Sequence, residues 1–128
     1  MPDNVNVVSN TTTGTTLTTT SETVVATVIV PATTNVQRIL HFLANCVLTA
    51  GAGTTAVALR VRRDGVAGTL VVGPFTEPAT ASALWAGSAG GDDAPGEVAS
   101  RTYVLTAQQT GATGNGTGAT GYLCCIVD

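Results

Sequence analysis

Lysine is missing from this sequence of 128 residues, and charge of either sign is scarce. The basic residues are five arginines, against eight acidic residues, which gives a net charge of −3. A nucleic-acid-binding protein needs a basic footprint that matches the phosphates, so we expect no nucleic-acid partner. Intrinsic disorder over the whole chain is also excluded, because only 10% of the residues are charged and 44% are hydrophobic.

Long apolar runs are absent as well. No stretch approaches the about 20 apolar residues that a membrane helix requires. Residues 1–20 have neither the basic region nor the apolar region of a secretory signal. We therefore expect a chain with no membrane partner and no export signal.

Cysteine is rare, with Cys46, Cys124 and Cys125 as its three positions. An odd number of cysteines without a secretory signal does not indicate a disulfide framework. Adjacent residues of a strand point to opposite faces, so Cys124 and Cys125 are not placed to pair with each other. We expect three buried, reduced thiols, and a bridge from Cys46 to Cys124 or Cys125 is the alternative.

The sequence offers no cluster of residues that supports catalysis, a metal ion or a cofactor. No serine or cysteine nucleophile can be assigned to His41, which is the single histidine. Oxygen atoms of Asp92, Asp93 and Glu97 could bind Ca²⁺, but the spacing of a calcium loop is missing. We expect a protein that is not an enzyme and that holds neither a metal nor a cofactor.

Threonine, alanine, valine and glycine supply 74 of the 128 positions, and the β-branched members of this set favour strands. Apolar runs and alternation between turn signals predict about six to eight strands and no helix. We therefore expect an all-β fold, an antiparallel, jelly-roll-like β-sandwich over residues 21–128. Its strands are predicted at 22–30, 38–50, 55–63, 69–72, 101–109 and 122–127, with a further short strand within 75–84.

Two glycine-rich stretches, residues 86–99 and 110–121, are predicted to be loops. Residues 1–20 are predicted to form an extended N-terminal arm that is too polar to fold alone. Such an arm lies either against another chain or against its own sheet edge. The residues expected to contact a partner are Val5, Val7, Val8, Thr11 and Thr12.

Two further sets of residues are candidates for an interface. Arg60, Arg62 and Arg63 cluster before a predicted turn, where guanidinium groups could bind the carboxylates of an acidic partner. The alternative is a solvated strand face. Trp85 precedes a glycine-rich stretch, and it is expected either to anchor an interface or to cover the end of the core.

The chain resembles the small jelly-roll modules of tailed-phage virions, which include capsid decoration (cement) proteins and head-fibre or tail-fibre domains. The resemblance rests on residues 22–31, 56–65 and 101–109, followed by a Gly/Thr hairpin and the strand 122–127. It covers most of the chain but includes no short defining motif. It implies a homotrimer on the capsid shell, with arms that contact the major capsid protein.

The expected function is that of a structural virion protein on the capsid exterior, which binds and stabilises a phage shell. Surplus apolar strand faces favour a homotrimer, with other oligomers as alternatives. A receptor- or glycan-binding fibre head is the competing function, and its contacts would come from loops 86–99 and 110–121. A bacterial surface or spore-coat module is the third alternative.

Overall fold

The computed structural model describes residues 6–128, with side chains from Val7 onward, and this part of the chain contains strands and turns but no helix. The predicted all-β fold is therefore confirmed. The eight strands are β1 (Asn6–Leu17), β2 (Thr23–Val30), β3 (Leu40–Thr49), β4 (Ala56–Arg63), β5 (Thr69–Pro78), β6 (Leu84–Asp93), β7 (Arg101–Thr110) and β8 (Gly116–Val127).

The strands form two antiparallel sheets that pack face to face. The first sheet has the order β1-β8-β3-β6, and the second has the order β2-β7-β4-β5. In each sheet a late strand is inserted between two early ones. This arrangement is the double-sheet jelly roll of eight strands, as the sequence pattern predicts.

The core lies between the two sheets and follows from the period of two along each strand. In β3, every second residue is buried from Leu40 to Leu48, and the residues between them face solvent. The aromatic rings of Phe42 in the first sheet and Tyr103 in the second lie 4.8 Å apart between their centroids. The buried residues of both sheets form one continuous core.

The prediction of a loop over residues 86–99 is wrong for its first half, because β6 runs from Leu84 to Asp93. Glycine weakens a strand unless another group needs the space above it. Here a Cβ atom at Gly87 would collide with the indole ring of Trp85, and one at Gly91 would press on Val72. Gly87 and Gly91 therefore make room for core side chains.

The loop predicted over residues 110–121 is also shorter than expected, because β8 begins at Gly116. At Gly121 the two sheets approach closely, since a Cβ atom there would collide with the backbone carbonyl of Val25. Strand β5 continues past the Gly73-Pro74 pair that was expected to end it. It can do so because it is an edge strand, where a missing backbone N–H is tolerated.

Residues 6–17 form an edge strand of the first sheet, which is the second of the two alternatives for the arm. Strand β1 pairs antiparallel with β8 from Asn6 opposite Val127 to Leu17 opposite Gly116. Leu17 is fully buried in the core. Across the seam between the sheets, the side-chain amide of Asn10 donates a 2.9 Å hydrogen bond to the backbone carbonyl of Thr27.

A buried glutamine joins three turns at one end of the sandwich. The Oε1 atom of Gln109 accepts hydrogen bonds from the Gly51 amide at 2.7 Å and from the Thr54 hydroxyl at 3.1 Å. Its Nε2 atom donates to the carbonyls of Thr19 at 2.8 Å and Gly114 at 3.3 Å. These bonds hold the β1–β2, β3–β4 and β7–β8 connections together.

Candidate interaction surfaces

The residues predicted to contact a partner lie on the edge strand β1, except Val5, which is outside the described residues. Val7 and Thr11 face solvent, opposite Ile126 and Tyr122 of β8. Val8 points inward and packs against the core, and Thr12 is half-buried. Contact with another chain through these residues stays a prediction, and only the solvent-facing ones have a free side chain.

The outward edge of β1 lacks the charge and the proline that usually protect a sheet edge, and its pairing with β8 is irregular only between Thr12 and Leu17. Exposed edges are normally blocked by charged residues, proline or short length, because their unpaired backbone groups attract other strands. Strand β5, an edge of the second sheet, follows this rule with Pro74, Glu77 and Pro78. Strand β1 is 12 residues long and contains neither a charged residue nor proline.

The solvent-facing side of the first sheet, here called the outer face, is unusually apolar. Its most exposed apolar members are Leu84 at 74%, Val7 at 59% and Leu43 at 57% of full exposure. Cross-strand register places Leu43 directly opposite Cys124, and Val47 opposite Thr120 and Ala86. The apolar members of the outer face are Val7, Leu43, Val47, Leu84, Ala86, Tyr122, Cys124 and Ile126.

Charge on the outer face is confined to one end. There the Nδ1 atom of His41 lies 2.8 Å from Oδ1 of Asp92, and its Nε2 atom lies 3.6 Å from Oδ2 of Asp128. The hydrogen bond to Asp92, supported by Asp128, raises the pKa of His41 above its ordinary value. This group lies at the solvent-exposed rim of the outer face, since all three side chains are open to water.

Arg60 and Arg62, predicted to face an acidic partner, are paired within the chain. Arg62 binds both carboxylate oxygens of Glu22, at 2.5 and 3.0 Å, and the Thr106 hydroxyl donates to the same carboxylate at 2.7 Å. Arg60 lies 3.7 Å from Glu22 and donates to Gln108 at 2.7 Å. A partner contact through these arginines stays a prediction, and such a contact would compete with Glu22.

The pKa values of this cluster reflect the pairing. Burial alone would raise the pKa of Glu22, but the hydrogen bonds from Arg62 and Thr106 outweigh it and lower the pKa below its ordinary value of 4.5. The hydrogen bond to Glu22 raises the pKa of Arg62. The cluster therefore stabilises its own charges on the second sheet.

Arg63 belongs to a different group, at the end of the sandwich. Its Nη2 atom donates to both Asp93 oxygens at 3.2 Å, and the Tyr103 hydroxyl donates to Oδ2 of Asp93 at 2.7 Å. Burial raises the pKa of Tyr103, and the bond to Asp93 raises it further. Strands β4, β6 and β7 are joined by these bonds.

Trp85 does not anchor an interface in this structure, because it is only 5% exposed and belongs to the core. Its position in β6 points the indole inward, and the missing side chain of Gly87 leaves room for the ring. The alternative, in which Trp85 covers the core, is the one observed. The indole N–H has no hydrogen-bond partner among the described residues.

Arg38 has a structural role that sequence reasoning missed. It is 1% exposed, and its guanidinium donates 2.7 Å hydrogen bonds to the carbonyls of Pro31 and Ala99. Glu97 supplies the nearest carboxylate, at 3.6 Å. Arg38 thus joins the β2–β3 and β6–β7 connections, and its isolated place before an apolar strand was the only signal.

The outer face was anticipated only in part: surplus apolar strand faces were recognised in the sequence, but the contributions of β3 and β6 were not. In β3, Leu43 and Val47 share a face with His41, Asn45 and Thr49, which made that face look polar. Two large aliphatic residues on the solvent side of a central strand were the available clue. Leu84 gave no such clue, because its strand was not recognised.

The described residues contain no group of histidine, cysteine or acidic side chains that could hold a metal ion. Cys46, Cys124 and Cys125 are buried, and within residues 6–128 none of them forms a disulfide. Burial raises the pKa of Cys46 to about 12. None of the described residues forms a helix long and apolar enough to cross a membrane.

Comparison with known proteins gives similarity of fold only. No protein family matches the sequence, and no curated protein matches it. A chain in the structure of infectious bursal disease virus, Gx strain, superimposes with a TM-score of 0.56 at 12% identity, covering 97% of this chain and 32% of that chain. This protein therefore spans about a third of the length of the viral chain and shares a fold with that part of it.

A second similar structure is that of Bacillus endospore appendages, which form a family of disulfide-linked pili. The TM-score is 0.36 at 19% identity, with 98% of this chain and 89% of that chain covered. A superposition of this quality supports no argument about this protein.

Proposed function

We propose that this chain is a structural virion protein, without enzymatic activity, that binds the exterior of a tailed-phage capsid and stabilises the shell. The observation that carries the proposal is the outward edge of β1, which is 12 residues long and has no charge or proline to block strand addition. An unprotected edge of this kind is expected to be paired in the assembled state.

The partner is the major capsid protein, which would add an extended segment to the edge of β1. Backbone hydrogen bonds supply the affinity in this mode of recognition, and alternate side chains such as Val7 and Thr11 supply the specificity. Each contact is weak, but many copies on one shell reinforce it collectively. Because β1 carries no charge, attachment should depend little on salt.

The fold supports this proposal without establishing it. The double-sheet jelly roll occurs in viral capsid domains and also in lectins and cupins, and the superimposed chain comes from a virus structure. The competing fibre-head function relied on long loops at 86–99 and 110–121, and β6 and β8 occupy much of both stretches. The homotrimer expected from the sequence stays a prediction.

Co-sedimentation with assembled phage shells tests the proposal. The variant Asn10→Lys places a charge on the β1 edge, on the side turned away from the outer face, and should reduce occupancy on shells by at least about tenfold, because lysine disfavours strand addition. Thr76→Lys places the same charge on the β5 edge and is the matched control, which should bind as the intact protein does. Point substitutions are preferable to deletion of residues 1–20, which would remove the buried Leu17.

The outcomes separate the competing functions. Equal occupancy of the two lysine variants would rule out strand addition at β1. Failure of the intact protein to sediment with any shell, together with binding to host cells or glycans, would replace the capsid role with the fibre-head role.

A further inference from the structure

The middle of the outer face has a composition that restricts what can cover it. Between the two ends of β3, the described residues of the outer face include no charged side chain. Leu43 and Val47 on β3 lie beside Cys124 and Tyr122 on the neighbouring strand β8. A partner that brought a charged group to this region would have to bury it without a counterion.

The size of the outer face matches an interface between two folded proteins. Four strands spaced about 4.8 Å apart, each about 34 Å long, give an area of roughly 650 Å². A specific, stable interface buries about 600–1,000 Å² on each partner. The face is therefore large enough to be covered by another sheet and too large for a short peptide strand alone.

We propose that the occupant is a second copy of this chain, so that the protein is a dimer joined through its outer faces in place of the homotrimer expected from the sequence. The same face of a second copy is uncharged in its middle and matches in area. In an isologous contact of this kind every residue pair occurs twice, once on each side of the twofold axis, and assembly stops at two chains. The charged groups of the second sheet, which pair around Glu22, remain on the outside of the dimer.

Tyr122 is the expected centre of the contact. It lies on the central strand β8, between Thr11 of β1 and Asn45 of β3. Tyrosine is enriched at the energetic centre of interfaces, because it offers a large apolar ring with a hydroxyl that can be satisfied at the contact. The aliphatic side chains of Leu43 and Val47 lie diagonally on either side of it along β3, and Asn45 beside it would need a hydrogen-bond partner across the contact.

Strand addition uses the backbone edge of β1, whereas the dimer covers the side chains of the first sheet, so Val7 and Thr11 border both contacts. Leu84→Glu affects the dimer alone, because Leu84 lies on β6 at the opposite edge of the sheet from β1, and this variant should still sediment with shells. The two proposals can therefore fail separately. Loss of the dimer would show in the solution mass, whereas loss of shell binding would show in co-sedimentation at an unchanged solution mass.

Light scattering after size exclusion tests the dimer. Concentrations of about 1 to 100 micromolar cover the range in which such interfaces assemble. The intact protein should have twice the chain mass of 12.7 kDa. Leu43→Glu and Leu84→Glu should each weaken dimerisation by at least about a hundredfold, because the interface would bury an unpaired carboxylate. Leu84 is 74% exposed, so its replacement should leave the monomer folded.

Ile29→Glu is the matched control, since Ile29 is 62% exposed on β2 of the opposite sheet. It should remain a dimer with the circular dichroism spectrum of the intact protein. A monomeric or trimeric intact protein would overturn the proposal. So would a dimer that survives both substitutions on the outer face or one that dissociates in the Ile29 variant.

Discussion

Replacement of Gln109 by methionine should destabilise the fold strongly, because this buried side chain holds several turns together. Gln109 is 1% exposed and binds groups on three separate turns. Methionine keeps the volume and flexibility of glutamine but can neither donate nor accept these hydrogen bonds effectively. The substitution therefore removes the polar contacts while leaving the packing nearly unchanged.

The expected magnitude follows from the groups left without partners. The Gly51 amide and the Thr54 hydroxyl are buried, and each unsatisfied buried group costs about 1–3 kcal/mol. The Thr19 carbonyl is half-buried and can bind water instead. We expect the free energy of unfolding of Gln109→Met to fall by about 2–6 kcal/mol, a large part of the total for a domain of this size.

Gln108→Met is the matched control, because Gln108 is the adjacent residue and also makes two hydrogen bonds, with Arg60 and the Thr20 carbonyl. Those groups are accessible to water, so this variant should lose about 1 kcal/mol or less. Urea denaturation gives both free energies, and hydrogen exchange at the Gly51 amide reports the local loss. Equal destabilisation by the two substitutions, with unchanged exchange at Gly51, would refute the role of Gln109.

Three further predictions concern titratable groups. Because the folded pKa of Glu22 is below 4.5, its ion pairs stabilise the fold above that pH and are lost as the pH falls through the folded value. The difference in stability between the intact protein and Glu22→Gln should therefore shrink on acidification, and a constant difference would contradict this. An NMR titration should give His41 a pKa above 6.5, and Asp92→Asn should lower that pKa; an unchanged pKa in the variant would show that Asp92 is not the partner of His41. Because the folded pKa is raised, the stabilisation by protonated His41 is complete below pH 6.5 and disappears as the pH rises through the folded value. Cys46→Ser should lower the free energy of unfolding by about 1–3 kcal/mol, measured by denaturation, because it buries a hydroxyl. Cys46 should also resist alkylation in the native protein, and rapid labelling or a disulfide found by mass mapping would contradict the buried thiol.

The parts of the fold that the sequence predicted are those in which local pattern and tertiary environment agree. Strands β3 and β7 alternate or cluster apolar residues over their whole length, and their predicted bounds differ from the observed ones by no more than about two residues. Strand β6 could not be found in this way. Gly87 makes room for the ring of Trp85 on the same strand, and Gly91 makes room for Val72 on β5, and the sequence pattern shows neither contact.

The interaction surfaces were predicted less completely than the fold. The polar segment before Leu17 was recognised as a segment that must lie against a sheet, but sequence could not choose between its own sheet and another chain. The choice depends on β8, which presents an open edge to residues 6–17. The three arginines were recognised as a cluster, yet Glu22, the partner of Arg60 and Arg62, is about 40 residues away. Only the order of β2, β7 and β4 brings this pairing about.

The pairing of β1 with β8 also determines when each part of the chain can fold during synthesis. Leu17 lies opposite Gly116, about a hundred residues later, and translation at 5–20 residues per second separates them by about 5–20 s. During that time β1 has no partner strand and must remain soluble. Threonine satisfies this requirement, because it has high strand propensity and little apolar surface. The composition of β1 thus combines ready strand formation, once β8 emerges, with little apolar surface to expose during the delay.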